Sequence, residues 1–221
     1  MQVKSFMVKV AVPIILIFLF TYASAQQNQT ESRDAEFYFN RGVASANKGQ
    51  LDQAISDFTE VLKINPMLAP AYSNRGLVSY SKGLYDQAIS DFTKALEINP
   101  RDAMTYYNRG LAYAVKGQVD HVISDCTNAL EINPRLANAY CNRGVAYSIK
   151  GQLDQAISDY TKALEIDPRM ATAYNNRGVA YKKKGQYDQA ISDCTKALEI
   201  NPRDATAYNN RGLIYSDKGQ Y

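Results

Sequence analysis

The sequence predicts an all-α solenoid built of helix pairs: five complete 34-residue repeats plus half a repeat, eleven helices in all. Three observations carry this. The tripeptide Asn-Arg-Gly recurs at Asn40, Asn74, Asn108, Asn142, Asn176 and Asn210, every step 34 residues. With unit positions counted from 1 at Ala35, Ala69, Ala103, Ala137, Ala171 and Ala205, tyrosine always holds position 4 and glycine positions 8 and 15. Proline holds position 32 in the five complete units, from Pro66 to Pro202. Within a unit, small and apolar residues return at helical spacing rather than in the two-residue alternation of a strand.

The chain begins with Lys4 and Lys9, then an apolar run from Val10 to Phe20, then Ala23-Ser24-Ala25 before a polar stretch. This is the three-part plan of a secretory signal peptide, residues 1–25, with cleavage expected after Ala25. The run is short of the roughly 20 residues that span a bilayer, so no stable membrane insertion is expected after cleavage. The bland alternative is an uncleaved anchor. Residues 26–34 read as a polar linker, in which Asn28-Gln29-Thr30 fits a glycosylation sequon.

The repeat units follow as 35–68, 69–102, 103–136, 137–170, 171–204 and the partial 205–221. In the first helix of each, positions 4, 8 and 11 share one face, for example Tyr174, Gly178 and Tyr181. Gly185 at position 15 suits the left-handed residue that stops a helix. Asp188 at position 18 is placed to cap the second helix or to favour its start. That helix buries positions 20, 24 and 27, for example Ala190, Cys194 and Ala197. Pro202 then ends it. A mid-helix glycine costs about 1 kcal/mol against alanine. Its recurrence at position 8 makes sense if Gly and the alanine at position 20 let two helix backbones approach closely. Val122 breaks that rule in the third unit and is expected to overpack against Gly110.

These residues resemble the tetratricopeptide repeat family, whose pattern has an aromatic at position 4, Gly at 8, Tyr at 11, Ala at 20, an aromatic at 24, Ala at 27 and Pro at 32. The resemblance covers residues 35–221. It implies a right-handed solenoid of antiparallel helix pairs with a concave groove lined by the first helices. Ser45 and Ser79 depart from it at position 11, Val122 at 20, and Cys126 and Cys194 at 24; Arg stands at position 7 where the family usually has leucine.

No catalytic constellation is visible, so a non-enzyme without cofactor or metal is expected. The single histidine, His121, falls well off the buried stripe and reads as a surface residue. The serines at position 22 recur in every complete unit, which suits a scaffold and not a nucleophile. Without Lys4 and Lys9, 23 Lys and Arg face 22 Asp and Glu. That balance gives no reason to expect nucleic acid as a partner. Cys126 and Cys194 read as core residues and Cys141 as groove-facing; a Cys126–Cys141 disulfide is the lesser alternative. Arg41, Arg75, Arg109, Arg143 and Arg177 each have an aspartate sixteen residues on, from Asp57 to Asp193. An ion pair across each helix pair is preferred to a ligand-binding arginine row.

The candidate site is the groove. Asn40, Asn74, Asn108, Asn142, Asn176 and Asn210 share one helical phase and form a ladder. Each amide carries donors and an acceptor, so it can pair either with the main chain of an extended peptide or with a neighbouring helix. Met104, Tyr107, Val115, Cys141 and Ile149 make an apolar central patch, beside a polar stretch of Thr172, Asn175 and Lys183. The carboxylate clamp of chaperone-binding relatives needs Lys at position 5 and Asn at position 9, and neither is present.

The expected function is an exported, non-catalytic scaffold that binds a peptide or partner protein in its groove. The alternative is a structural assembly or oligomerisation module, as in the front part of a longer envelope protein. The last helix repeats the internal pattern rather than a polar cap. Its stripe, with Tyr208, Tyr215, Leu213 and Ile214 on or near it, is expected to lie open, and Arg211 to lack a partner. Continuation of the chain, pairing of two ends as a homodimer, and fraying are the three outcomes open.

Overall fold

A computed structural model describes residues 29–219; the expected signal peptide and the sequon's Asn28 lie outside them. Eleven helices and no strand occur among these residues. The first helices of the units are α1 (29–47), α3 (Ala69–Ser81), α5 (Ala103–Val115), α7 (Ala137–Ile149), α9 (Ala171–Lys183) and α11 (Ala205–Asp217). The second helices are α2 (Leu51–Ile64), α4 (Tyr85–Ile98), α6 (Val119–Ile132), α8 (Leu153–Ile166) and α10 (Tyr187–Ile200). Residues 29–34, expected as linker, are helical and run into α1.

Each helix packs mainly on its neighbours in sequence, with thinner contacts between successive first helices. The turn inside each unit is closed at position 15. At Gly185, φ is 72°, the Gln186 N–H reaches the Tyr181 carbonyl at 2.9 Å, and α9 stops. The second helices end at an isoleucine, and the following Asn, or Asp167 in the fourth unit, turns the chain: Asn65 Oδ1 accepts from the Met67 N–H at 3.1 Å, with Pro66 between. The aspartate at position 18 does not cap. Gln186 is the N-cap of α10 and makes no side-chain cap bond. Asp188 instead lies in the first turn, where its charge suits the helix dipole, and pairs with Lys218 of the next unit at 2.6 Å. Asp52 with Lys82, Asp86 with Lys116, Asp120 with Lys150 and Asp154 with Lys184 repeat that exposed pair.

The core is a line of small clusters between helices. Position 8 explains its spacing. A Cβ on Gly144 would lie 2.8 Å from Tyr160 and 3.2 Å from the Ala156 carbonyl oxygen, so α7 and α8 pack with no room for a methyl. Gly178 is equally close to the Ala190 carbonyl, at 3.1 Å. The third unit differs. From Gly110 the Val122 carbonyl is 4.0 Å away and the Cys126 sulfur 3.8 Å. Val122 is 4% exposed. The expected overpacking is thus relieved by a wider α5–α6 pair.

All five expected Arg–Asp pairs form, two-pronged, with the aspartates buried. They also do something the sequence reading missed. The third guanidinium nitrogen reaches a threonine at position 25 of the preceding unit: Arg75 to Thr59, Arg109 to Thr93 and Arg143 to Thr127 at 3.0 Å, and Arg177 to Thr161 at 2.9 Å. Each unit is tied to the one before it. Among the described residues Arg211 pairs with no aspartate, but it contacts Thr195 at 3.3 Å and stands over the Tyr208 ring.

On α11, Ala207 and Ile214 are fully buried against the fifth unit. Ile214, expected only near the open stripe, thus lies on the packed face. Tyr208, Leu213 and Tyr215 are exposed, and nothing lies within 4 Å of a Cβ built on Gly212.

Candidate peptide-binding groove

The first helices bring the asparagine ladder onto one face, but the amides are not all free. Asn142 Nδ2 donates to the Tyr107 hydroxyl at 3.4 Å, Asn176 bonds the Cys141 side chain, and Asn210 Nδ2 donates to Asn175 Oδ1 at 3.0 Å. In each case position 6 of one unit covers position 5 of the unit before. Asn74 Nδ2 turns back to the Pro70 carbonyl at 2.8 Å. Asn40 is exposed, and Asn108 is half-buried. An amide spends one N–H in such a contact and keeps a carbonyl and a second N–H.

This covering alters several expected groove residues. Asn175 and Cys141 are buried, and Tyr107 is half-buried. Burial pushes the Tyr107 hydroxyl above its ordinary pKa. It also pushes the thiols up, to about 12 for Cys126 and about 11 for Cys141 and Cys194. All three thiols are free, so the Cys126–Cys141 bond is not made. Met104, Val115 and Ile149 do stand exposed, at 49%, 51% and 67%.

Beside Ile149 lies a recess of about 120 Å³ between α5, α6 and α7. Leu111, Ala114, Val122, Val145 and Ile149 line it, together with Asn142. Sequence reading marked Ile149 and flagged Val122 only as a packing fault. That fault was the available signal for the recess, since a valine in place of alanine both spreads the helix pair and supplies part of the wall.

His121 is exposed and stacks on Tyr113, with ring centroids 4.6 Å apart. No group of three or more metal-ligating side chains occurs among the described residues, and no described helix is long and apolar enough to cross a membrane.

A paired-helix array of this kind defines a repeat scaffold. The chain belongs to the tetratricopeptide repeat family: that family's profile matches 35–68, 69–102, 103–136, 137–170 and 171–204, and a second tetratricopeptide profile matches 194–221. No curated protein matches the chain. Among solved structures, it is similar to YrrB, described as a tetratricopeptide protein with an unusual peptide-binding site: 27% identity, 80% of this chain and 91% of that one, TM-score 0.71. It is similar to MamA at 30% identity over 79% of this chain and 95% of that one, TM-score 0.72. A tetratricopeptide repeat protein from Parabacteroides merdae shares the fold alone, at 22% identity, 85% and 75% coverage, and TM-score 0.76.

Proposed function

We propose that this chain is an exported, non-catalytic scaffold that holds an extended segment of a partner protein in its groove. The observation that carries the reading is the exposure of Met104, Val115 and Ile149 on consecutive first helices, beside an asparagine row that retains hydrogen-bonding capacity. Exposed apolar side chains rimmed by polar groups mark interaction surfaces. Family membership and the likeness to a peptide-binding tetratricopeptide protein support it. Export rests on the leader's lysines, apolar run and Ala23-Ser24-Ala25.

Two measurements test this reading. Partners are crosslinked in cells and identified, and binding is repeated with Asn108→Ala plus Asn142→Ala. Weaker binding with unchanged stability supports the groove; unchanged affinity with lost stability makes the asparagines purely structural. The intact mass of the exported protein tests the leader, and retention of residues 1–25 sinks the cleavage reading. A second reading, an assembly module, is favoured by one feature: the exposed Tyr208, Leu213 and Tyr215 beside the uncovered Gly212. Self-association that disappears in Tyr208→Ser plus Leu213→Ser would support it.

A further inference from the structure

We infer that the recess between α5, α6 and α7 takes one aliphatic side chain of an extended peptide, and that an acidic residue of the same peptide meets Lys183. This deepens the groove reading and rests on it.

The recess lies between the third and fourth units. Val122 widens the α5–α6 pair, and the gap opens between Leu111 and Ala114 on one side and Val145 and Ile149 on the other. The corresponding hollow between the first two units has Asn47 and Ser81 in its wall, and Ser81 stands at the unit position that Ile149 holds. The third-unit recess has aliphatic walls apart from Asn142 and glycine backbone. An aliphatic side chain seated in this partly open hollow of about 120 Å³ would remove apolar wall from water.

Charge complementarity selects the rest of the occupant. Lys182 is paired with Asp217 and Lys184 with Asp154. Lys183 is exposed and has no ion-pair partner among the described residues. It holds position 13 of α9, the same position that Ile149 holds on α7. Neighbouring helix axes lie about 10 Å apart. An extended chain rises about 3.3 Å per residue. The recess lies between α5 and α7, about one and a half spacings from α9, so the acidic residue falls about four or five positions from the aliphatic one, on the α9 side. Asn142, which also lines the recess, keeps a carbonyl and a second N–H for the intervening main chain. A helical ligand would call for several anchors at three- and four-residue spacing, whereas this recess supplies a single aliphatic one.

The test selects phage-displayed random dodecapeptides on the full chain. Recovered peptides should share one Leu, Ile or Met with Asp or Glu about four or five positions away. A fluorescein-labelled representative should lose roughly tenfold or more in affinity on Ala114→Leu, which fills the recess from its exposed rim. It should lose a comparable factor on Ile149→Ser, an exposed change that leaves the fold intact. Lys183→Glu should weaken the acidic peptide and spare its Asp→Asn form. Peptides without the pattern, or affinity indifferent to Ala114→Leu and Ile149→Ser, overturn the inference. If such peptides still depend on Asn108 and Asn142, the groove reading survives. Recovery of no peptide overturns both.

Discussion

Arg143 grips Asp159 with two nitrogens, Nε to Oδ2 at 2.8 Å and Nη2 to Oδ1 at 2.9 Å, while its Nη1 reaches Thr127 of the preceding unit at 3.0 Å. One guanidinium thus binds the second helix of its own unit and that of the unit before. Because the carboxylate is buried and the arginine largely so, removing either partner strands a charge. Arg143→Ala and Asp159→Ala are each expected to cost roughly 3–5 kcal/mol in urea unfolding. Thr127→Val should cost about 1 kcal/mol. Equal, small losses at all three would mean the network contributes little.

The first unit offers an acid test. Arg41 hydrogen bonding holds the Asp57 carboxyl below its usual range, against the opposing effect of burial, and Gln53 adds a third bond. A depressed folded pKa means stability that is present above the unfolded value of about 3.9 and is lost as pH falls through the folded one. Asp57→Asn should lower stability at pH 7 and flatten its decline below about pH 4. Parallel acid limbs for the two proteins would refute the assignment.

Val122→Ala should destabilise by about 1–2 kcal/mol, at about 0.8 kcal/mol per buried carbon. The wider α5–α6 spacing has already removed the strain that would have made the change neutral. A neutral result in thermal and urea melts would show that the pair closes onto alanine as its neighbours do.

The three cysteines should be inert to a thiol reagent at pH 8 in the native state and all reactive in denaturant. Their folded pKa values, about 11 to 12, keep them protonated and their burial keeps them covered. Fast labelling of Cys141 alone would mean that Asn176 uncovers it readily.

A copy of Asp188–Pro202 appended to this 221-residue polypeptide would bring an aspartate to Arg211 and a side chain over Gly212. Thermal stability should rise by several degrees, at about 2–4 °C per kcal/mol. An unchanged melting temperature, with Tyr208 and Tyr215 as accessible as before, would mean that this face needs no cover.

The 34-residue period by itself determined the helix pairs, their boundaries at Gly185 and Pro202 and their equivalents, and the five Arg–Asp pairs. All of these are repeated events within one unit, and repetition turns a weak local preference into a legible signal. The tertiary structure alone decided what happens between units. That Asn142, Asn176 and Asn210 cover the side chains at position 5, and that Thr127 binds Arg143, depends on how one pair stacks on the next. The recess beside Val122 has the same origin. One substitution changes a helix spacing by a fraction of an ångström, and only the packed array shows whether that distance becomes strain or an open space.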